Sequence, residues 1–430
     1  MEAVKRGKAA VTVCSTAFES LGRAQARSLG CPDLPIALVP HPFGLISREK
    51  LRAVAEDVAK QIESALAVKA RQPGTASASV AQPPRALRMT VPDDVELLHR
   101  KFMDEGIGDG LPVIPPTPRR VARMLAGSSR APDEVIAALA PAFCLATVEH
   151  IAINAAMAGC RPEAMELLIS IAEAIAAPEF NLQGIQATTN PAAVWAVVSG
   201  PVAKRVNVNA ATNCLGPDTH ANIGIGRALR LMMLNIGGAT PGVMDRATHG
   251  QPGKFSMVCG ENEAETPWQT LGVERGITAG ASSVTMVGFS GTLNMNTHSK
   301  DPDDILRCFA DAMAHAPSND YWCGGEPWII FAPEHANILS AAGYSKADVK
   351  QKLWDYSLMP ASRMAAKDLE RTIRTRQPEL GVITAATLLP ITTEVSRIGI
   401  ICAGGPGTHS VYVPGFGNSR SVTRAVCNPG

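Results

Sequence analysis

Aromatic residues are scarce in this chain. Five Trp, four Tyr and ten Phe make up 4% of 430 residues. Small and branched residues must therefore fill the interior, which favours closely packed backbones and buried helices. Neither sign of charge is in excess: 40 Lys and Arg face 39 Asp and Glu, a formal net charge of +1. Binders of nucleic acid or of anionic membrane surfaces carry a basic excess, so no nucleic-acid or membrane partner is expected. No run of 18 apolar residues occurs, so no membrane-spanning helix is expected either. The ten cysteines include no CxxC pair and no Cys/His set with zinc-finger spacing. The first residues, MEAVKRGKAAVTVCSTAFES, turn polar too soon for a signal peptide. A cytoplasmic protein with reduced thiols is the expectation, most of them small core residues.

Hydrophobic residues reach 46% and charged residues 18%, so a large core is available. The length allows two or three domains. Residues 9–14 (AAVTVC) and the run LPIALVP read as short strands. Each is followed by a helical pattern, with Ser15 and Ser47 as candidate caps. Strand, helix, strand, helix implies two parallel strands. Two such strands leave both edges open, so residues 1–70 read as part of an α/β unit. A Pro-, Ser- and Ala-rich stretch within 71–90 reads as a linker. Residues 91–430 read as a large mixed α/β domain rich in helices. The patterns predict helices at 132–140, 147–159, 162–177, 221–236, 302–315, 333–341 and 345–356. Strands are expected at 193–199, 255–259, 282–288, 327–332 and 397–402.

Several polar loops sit at the ends of these elements. In ATNCLGPDTHANIGIGR (211–227), hydrogen-bonding residues run directly into a helix. A helix start offers free N–H groups and a positive dipole end, which suits a carboxylate or phosphate. Asn213, His220 and Asn222 are candidate donors there, with Arg227 one turn further on. Simple capping is the alternative. TTNPAA supplies Asn190, THGQPGKFS supplies His249 and Lys254, and GENEAETPW supplies Glu261, Glu263 and Trp268. AGGPGTHS supplies His409 and Ser410 after a strand-like run, where exposed glycine amides also suit an anion. That loop is neither a P-loop nor a dinucleotide fingerprint. Five polar loops in one α/β body imply an active-site rim.

Glu149 and His150 lie in the otherwise apolar helix TVEHIAINAAMAGC. A carboxyl or imidazole in such surroundings is a general acid/base candidate, with a satisfied core pair as the alternative. Glu261 and His249 are further catalytic candidates. Glu261, Glu263 and Glu265 with His249 offer ligands to a divalent metal, though no HExxH or EF-hand pattern singles one out. A solvated acidic loop is the alternative, and no cofactor is assigned.

Residues 10–65, with VCSTAF, LGCPDLPIALVPHP and the following helix, resemble the second half of the UGSC-like domain. That family is named for a selenocysteine-Gly-Ser-Cys motif, often with Cys in first place. The domain is similar to the selenoprotein component of glycine and sarcosine reductases, in which a selenol or thiol attacks a substrate carbon. From DGLPVIPPTPRRV onward, with ATVEHIAINAAMAGCRPE, GKFSMVCGENEAETPW and FAPEHANILSAAGYSKADV, the chain resembles uncharacterised proteins found with or fused to such domains. The resemblance implies thiol-dependent chemistry at carbon on a small anionic substrate. No GSC tripeptide occurs in the 430 residues, so no residue here inherits the nucleophile's role. A partner chain is expected to complete residues 8–68 and supply the cysteine, in an oligomeric or mixed complex. A metal-dependent lyase or hydrolase, or a non-catalytic scaffold subunit, are the rival expectations.

Overall fold

The computed structural model describes residues 2–43, 46–69, 86–217 and 219–427. The N-terminal unit is built as its pattern predicts. Strands β1 (Thr12–Ser15) and β2 (Ile36–Val39) pair in parallel, Thr12 opposite Ile36 and Ser15 opposite Val39. The helices Glu19–Ser28 and Arg48–Lys69 follow them. Ser47 caps the second, its Oγ accepting from Lys50 N at 3.5 Å. Ser15 makes no capping bond; its hydroxyl pairs with His41 Nδ1 at 3.1 Å. This unit touches the rest of the chain through polar contacts: Ser20 Oγ donates to Val243 O at 3.1 Å, and Gln25 meets Gln183. Most of the expected linker lies in residues 70–85, outside the described residues.

The larger region begins with the helices Val95–Asp104 and Pro118–Leu125, followed by a hairpin of β3 (Val135–Leu139) and β4 (Cys144–Thr147). Residues 132–140 were expected to be helical, and this is corrected. VIAAL buries little of itself and pairs across a Pro141 turn with CLAT, a partnership that helical spacing does not reveal. Strands β5 (Ala193–Ser199), β6 (Val258–Gly260), β7 (Ser283–Phe289), β8 (Leu293–Asn296) and β9 (Trp328–Phe331) follow. The short β10 (Met359–Pro360) and β11 (Leu388–Leu389) pair with each other. Last come β12 (Gly399–Cys402), β13 (His409–Val413) and β14 (Val422–Ala425).

Two four-stranded mixed sheets result, in orders β14-β7-β5-β6 and β12-β9-β13-β8. Within them β5 runs parallel to β6, and β9 to β12. Side chains alternate across each strand, and both faces of each sheet are covered. On β5, Val194, Ala196 and Val198 pack against the helices Val148–Met157, Met165–Ile175 and His220–Asn235. Trp195 and Val197 point the other way, toward Trp328, Ile330, Ile401 and Val413 of the second sheet. Ile329, Phe331 and Ile400 then face the helices Pro302–Met313, Pro333–Ala341 and Lys346–Tyr356. The layers run helices, sheet, sheet, helices. Trp195 and Trp328 meet edge to face in the central layer, ring centroids 5.6 Å apart. Gly399 is required beside them, since a Cβ there would fall 2.1 Å from the Trp328 ring.

Candidate active site

In open α/β sheets, ligands gather beyond the carboxyl ends of parallel strands. Here the chain leaves β6 at Glu261, β9 at Ala332 and β12 at Ala403. These exits lie together: Asn262 N donates to Cys402 O at 2.8 Å, and Asn262 Nδ2 to Gly404 O at 3.3 Å. Around them opens a cavity of about 710 Å³. Its walls are Thr212, Asn262, Glu265, Lys300, Glu334, Asn337 and the Gly404–Pro406 loop. Three polar loops read from the sequence therefore meet, joined by the start of the helix Pro333–Ala341 and by Lys300.

Asn222 organises one wall. Its Nδ2 contacts the carbonyls of Asn209, Cys214 and Val258, each at 3.0 Å. Its Oδ1 accepts from Asn209 N at 2.8 Å. One buried amide thus ties the 209–214 loop to β6. Gly260 N donates to Asn209 O at 3.0 Å and Gly404 N to Ala210 O at 2.8 Å, which brings the third loop into the same set. A Cβ at Gly405 would meet Thr212 Oγ1 at 2.1 Å, so these loops touch with no room between.

Glu261 lies directly behind Asn262 and is buried. Its Oε2 accepts from Ser199 Oγ at 3.1 Å and Leu271 N at 2.8 Å, while Oε1 has no partner. Burial pushes this carboxyl up to about 7, against the pull of Lys346 and its two hydrogen bonds. Lys346 itself donates to Glu274 at 2.9 Å and to Gln269 O at 3.0 Å. A carboxyl balanced near neutrality behind a polar cavity is chemically suited to proton transfer.

The other residues expected from the sequence are placed as follows. His150 closes a capping box: its N–H donates to Thr147 Oγ1 at 3.2 Å, and its Nδ1 lies 3.2 Å from Leu145 O. Glu149 is half-buried in the same first turn. Neither lines the cavity. Arg227 is a structural clamp: it grips Asp109 through two hydrogen bonds of 2.7 and 2.9 Å and also binds the Leu111 and Pro112 carbonyls. Lys254 pairs with Asp245 at 2.6 Å, beside Arg230. Asn213 adopts a left-handed turn, φ 61°, and donates to Pro217 O at 2.6 Å. His220 lines a separate hollow of about 100 Å³ with Cys160, Arg161, Glu163 and Asn207. His249 is exposed, and Asn190 sits in the 188–190 turn with its Oδ1 unpartnered. Trp268 donates to Tyr344 O at 3.0 Å and stands edge-on to Phe331. His409 is exposed beside Asn294.

The acidic set proposed as metal ligands diverges. Glu261 points inward, Glu263 accepts from Gly200 N at 2.6 Å at the surface, and Glu265 lines the cavity. Among the described residues no group of three or more His, Cys, Asp or Glu is placed to hold a metal ion.

Sequence reading passed over Lys300, Glu334, Asn337 and His335. The strand-Pro-helix passage FAPEHANIL marks the carboxyl end of β9 and was the available signal for three of them. His335 and Ser410 are fully buried. Ser410 Oγ lies 2.9 Å from His335 Nδ1 and accepts from Ala332 N at 3.1 Å, while His335 Nε2 reaches Thr297 O at 3.1 Å. This satisfied set ties β13 and Thr297 to the start of the helix Pro333–Ala341, whose Glu334 and Asn337 line the cavity.

No curated protein and no solved structure matches the chain. No helix among the described residues is long and apolar enough to cross a membrane. The N-terminal strand–helix–strand–helix unit does have a recognised counterpart: residues 1–68 match the model of the UGSC family, and this segment of the chain is UGSC-like.

Proposed function

We propose that the chain is the body of an enzyme acting on a small carboxylated metabolite in the cavity at the strand ends. The reaction class is thiol-dependent chemistry at carbon: formation, cleavage or reduction of a C–S or C–X bond. The observation that carries this reading is the convergence of separate polar loops on one 710 Å³ cavity. Lys300 is the cation in its wall and anchors the substrate carboxylate, with Asn262 and Asn337 as hydrogen-bonding groups. Glu265 and Glu334 favour a substrate that also carries amino or hydroxyl donors. Glu261 serves as the proton reservoir behind them.

The nucleophilic cysteine comes from a partner chain. Supporting this are the UGSC-like segment and its unfinished sheet. β1 and β2 pair only with each other among the described residues, and Val13 and Phe43 stand 52% and 45% exposed nearby. Edges of this kind recruit further strands.

Isothermal titration with a panel of short-chain hydroxy- and amino-carboxylates tests the cavity. At least one class binds, and Lys300→Ala weakens it by about tenfold or more, equivalent to about 1.4 kcal/mol. Absence of binding across the panel, or equal affinity in the variant, overturns the assignment.

A further inference from the structure

Two buried cations share one carboxylate near the amino ends of β5 and β6, at the other end of these strands from the cavity. Lys254 Nζ donates to Asp245 Oδ2 at 2.6 Å, and Arg230 Nη2 reaches the same oxygen at 3.5 Å. The side chains of Lys254, Arg230 and Asp245 are 12%, 9% and 5% exposed. Among the described residues neither cationic side chain makes another hydrogen bond. A lysine carries three donors and an arginine five, so most of these donors lack a protein acceptor. The neighbouring Arg227–Asp109 pair is balanced in itself and leaves a surplus of one positive charge in place. Burial outweighs Asp245 and pulls both Arg230 and Lys254 below their ordinary values. Beside them lies a hollow of about 10 Å³, room for one occupant of about the size of a water. Arg230, Lys254 and Gln186 line it, with Val194, Met233 and Met257 as apolar walls. Gln186 is 1% exposed, and its Nε2 has no hydrogen-bond partner. A buried amide donor left unpaired is costly, and the charged lining beside this one is cationic. Gly253 and Lys254, half-buried in the turn next to exposed Pro252, give the hollow its way to solvent.

We propose that Arg230, Lys254 and Gln186 Nε2 form a binding site for a single monatomic anion of chloride size. The ion balances the second cation and accepts from all three side chains at once. Lys254 has a flexible stem that adjusts to it. A phosphate or a whole carboxylate group is too large for the hollow. The bound ion ties two elements together. Gln186 ends the helix Leu182–Gln186, and Asp245 closes the loop that follows Gly242. The UGSC-like segment rests on these same two elements, Gln25 against Gln183 and Ser20 Oγ on Val243 O. The anion therefore stiffens the seat of that segment. This site is separate from the strand-end cavity and does not depend on the proposed reaction.

The test uses the full-length protein in sodium gluconate, with chloride exchanged for gluconate at constant ionic strength. The expected melting temperature rises with chloride and saturates, as binding to the folded state alone requires. General salt effects give no saturation and favour the more strongly excluded gluconate. Sodium bromide acts as chloride does. Lys254→Met removes the surplus cation and raises the half-saturating chloride concentration at least about tenfold. Gln186→Glu supplies the negative charge from the chain itself. In gluconate it melts above the parent, and chloride then adds nothing. The parent curve and Gln186→Glu decide the question should Lys254→Met fail to fold. A parent curve that is flat or falls with chloride means that water alone fills the hollow and overturns the proposal. So does a Gln186→Glu protein that melts below the parent in gluconate, or a chloride response unchanged in Lys254→Met.

Discussion

Glu261 and Asp320 both carry carboxyls that burial raises to about 7, from ordinary values of 4.5 and 3.8. A folded-state value above the unfolded one means the folded protein holds its proton longer. Between about pH 4.5 and 7 the unfolded chain releases the Glu261 proton while the folded chain keeps it. Stability therefore declines as pH rises through this window and levels above it. Glu261→Gln removes one contributor and leaves Asp320, so its melting temperature falls less steeply from pH 5 to 8 than that of the parent. Parallel melting curves for the two proteins would contradict the burial argument. Asp109 behaves in the opposite sense. Burial works against its charge, but Arg227 outweighs it and holds the carboxyl below its ordinary value. Its contribution is present near neutrality and is lost as pH falls through the lowered value. Arg227→Ala strands a carboxylate that is only 3% exposed, a loss of about 3–5 kcal/mol, measurable by urea denaturation at pH 7. A loss under about 1 kcal/mol would mean that water replaces the guanidinium.

At the level of elements, the cavity depends on loops pinned to strands rather than on any single helix. Asn222→Ala removes the amide that joins Asn209, Cys214 and Val258. Amide hydrogen exchange across 209–214 and 258–260 then quickens, while β7, remote from the tie, keeps its protection. Equal exchange in both proteins would assign the tie to the remaining backbone bonds. The same loops show why the sequence was legible in part. β5 and the helices near 148, 165 and 302 were predictable, because their apolar periods are local signals. The hairpin at β3 was not, because its partner is what makes VIAAL a strand. Of the five polar loops expected to form one rim, those around 212, 262 and 404 line the cavity at the strand ends, while the 188–193 and 248–256 loops do not. Which side chains face the cavity was not readable: Arg227 and Asp109 are 118 positions apart, and nothing near Arg227 announces that its charge is spent. Lys300 carries no local mark of its role at all.

For the whole molecule, two sheets back to back make a four-layer body, and the UGSC-like segment rests on it by sparse polar contacts. That segment has the least cover of its own. Exposed Val13 on β1 beside an unpaired edge favours association. Sedimentation velocity over a range of concentrations is expected to show species above the 45.2 kDa chain, diminished in Val13→Lys. A single species at the chain mass, unchanged on addition of cell extract fractions, would leave the segment self-sufficient and remove the partner from the proposed function.

The edge-to-face contact of Trp195 and Trp328 has a practical consequence. One indole belongs to each sheet, and the two transition dipoles lie close enough to couple. Near-ultraviolet circular dichroism of this chain therefore contains a built-in optical gauge of sheet docking. Its disappearance ahead of the far-ultraviolet signal would reveal an intermediate in which the layers have parted before the strands dissolve.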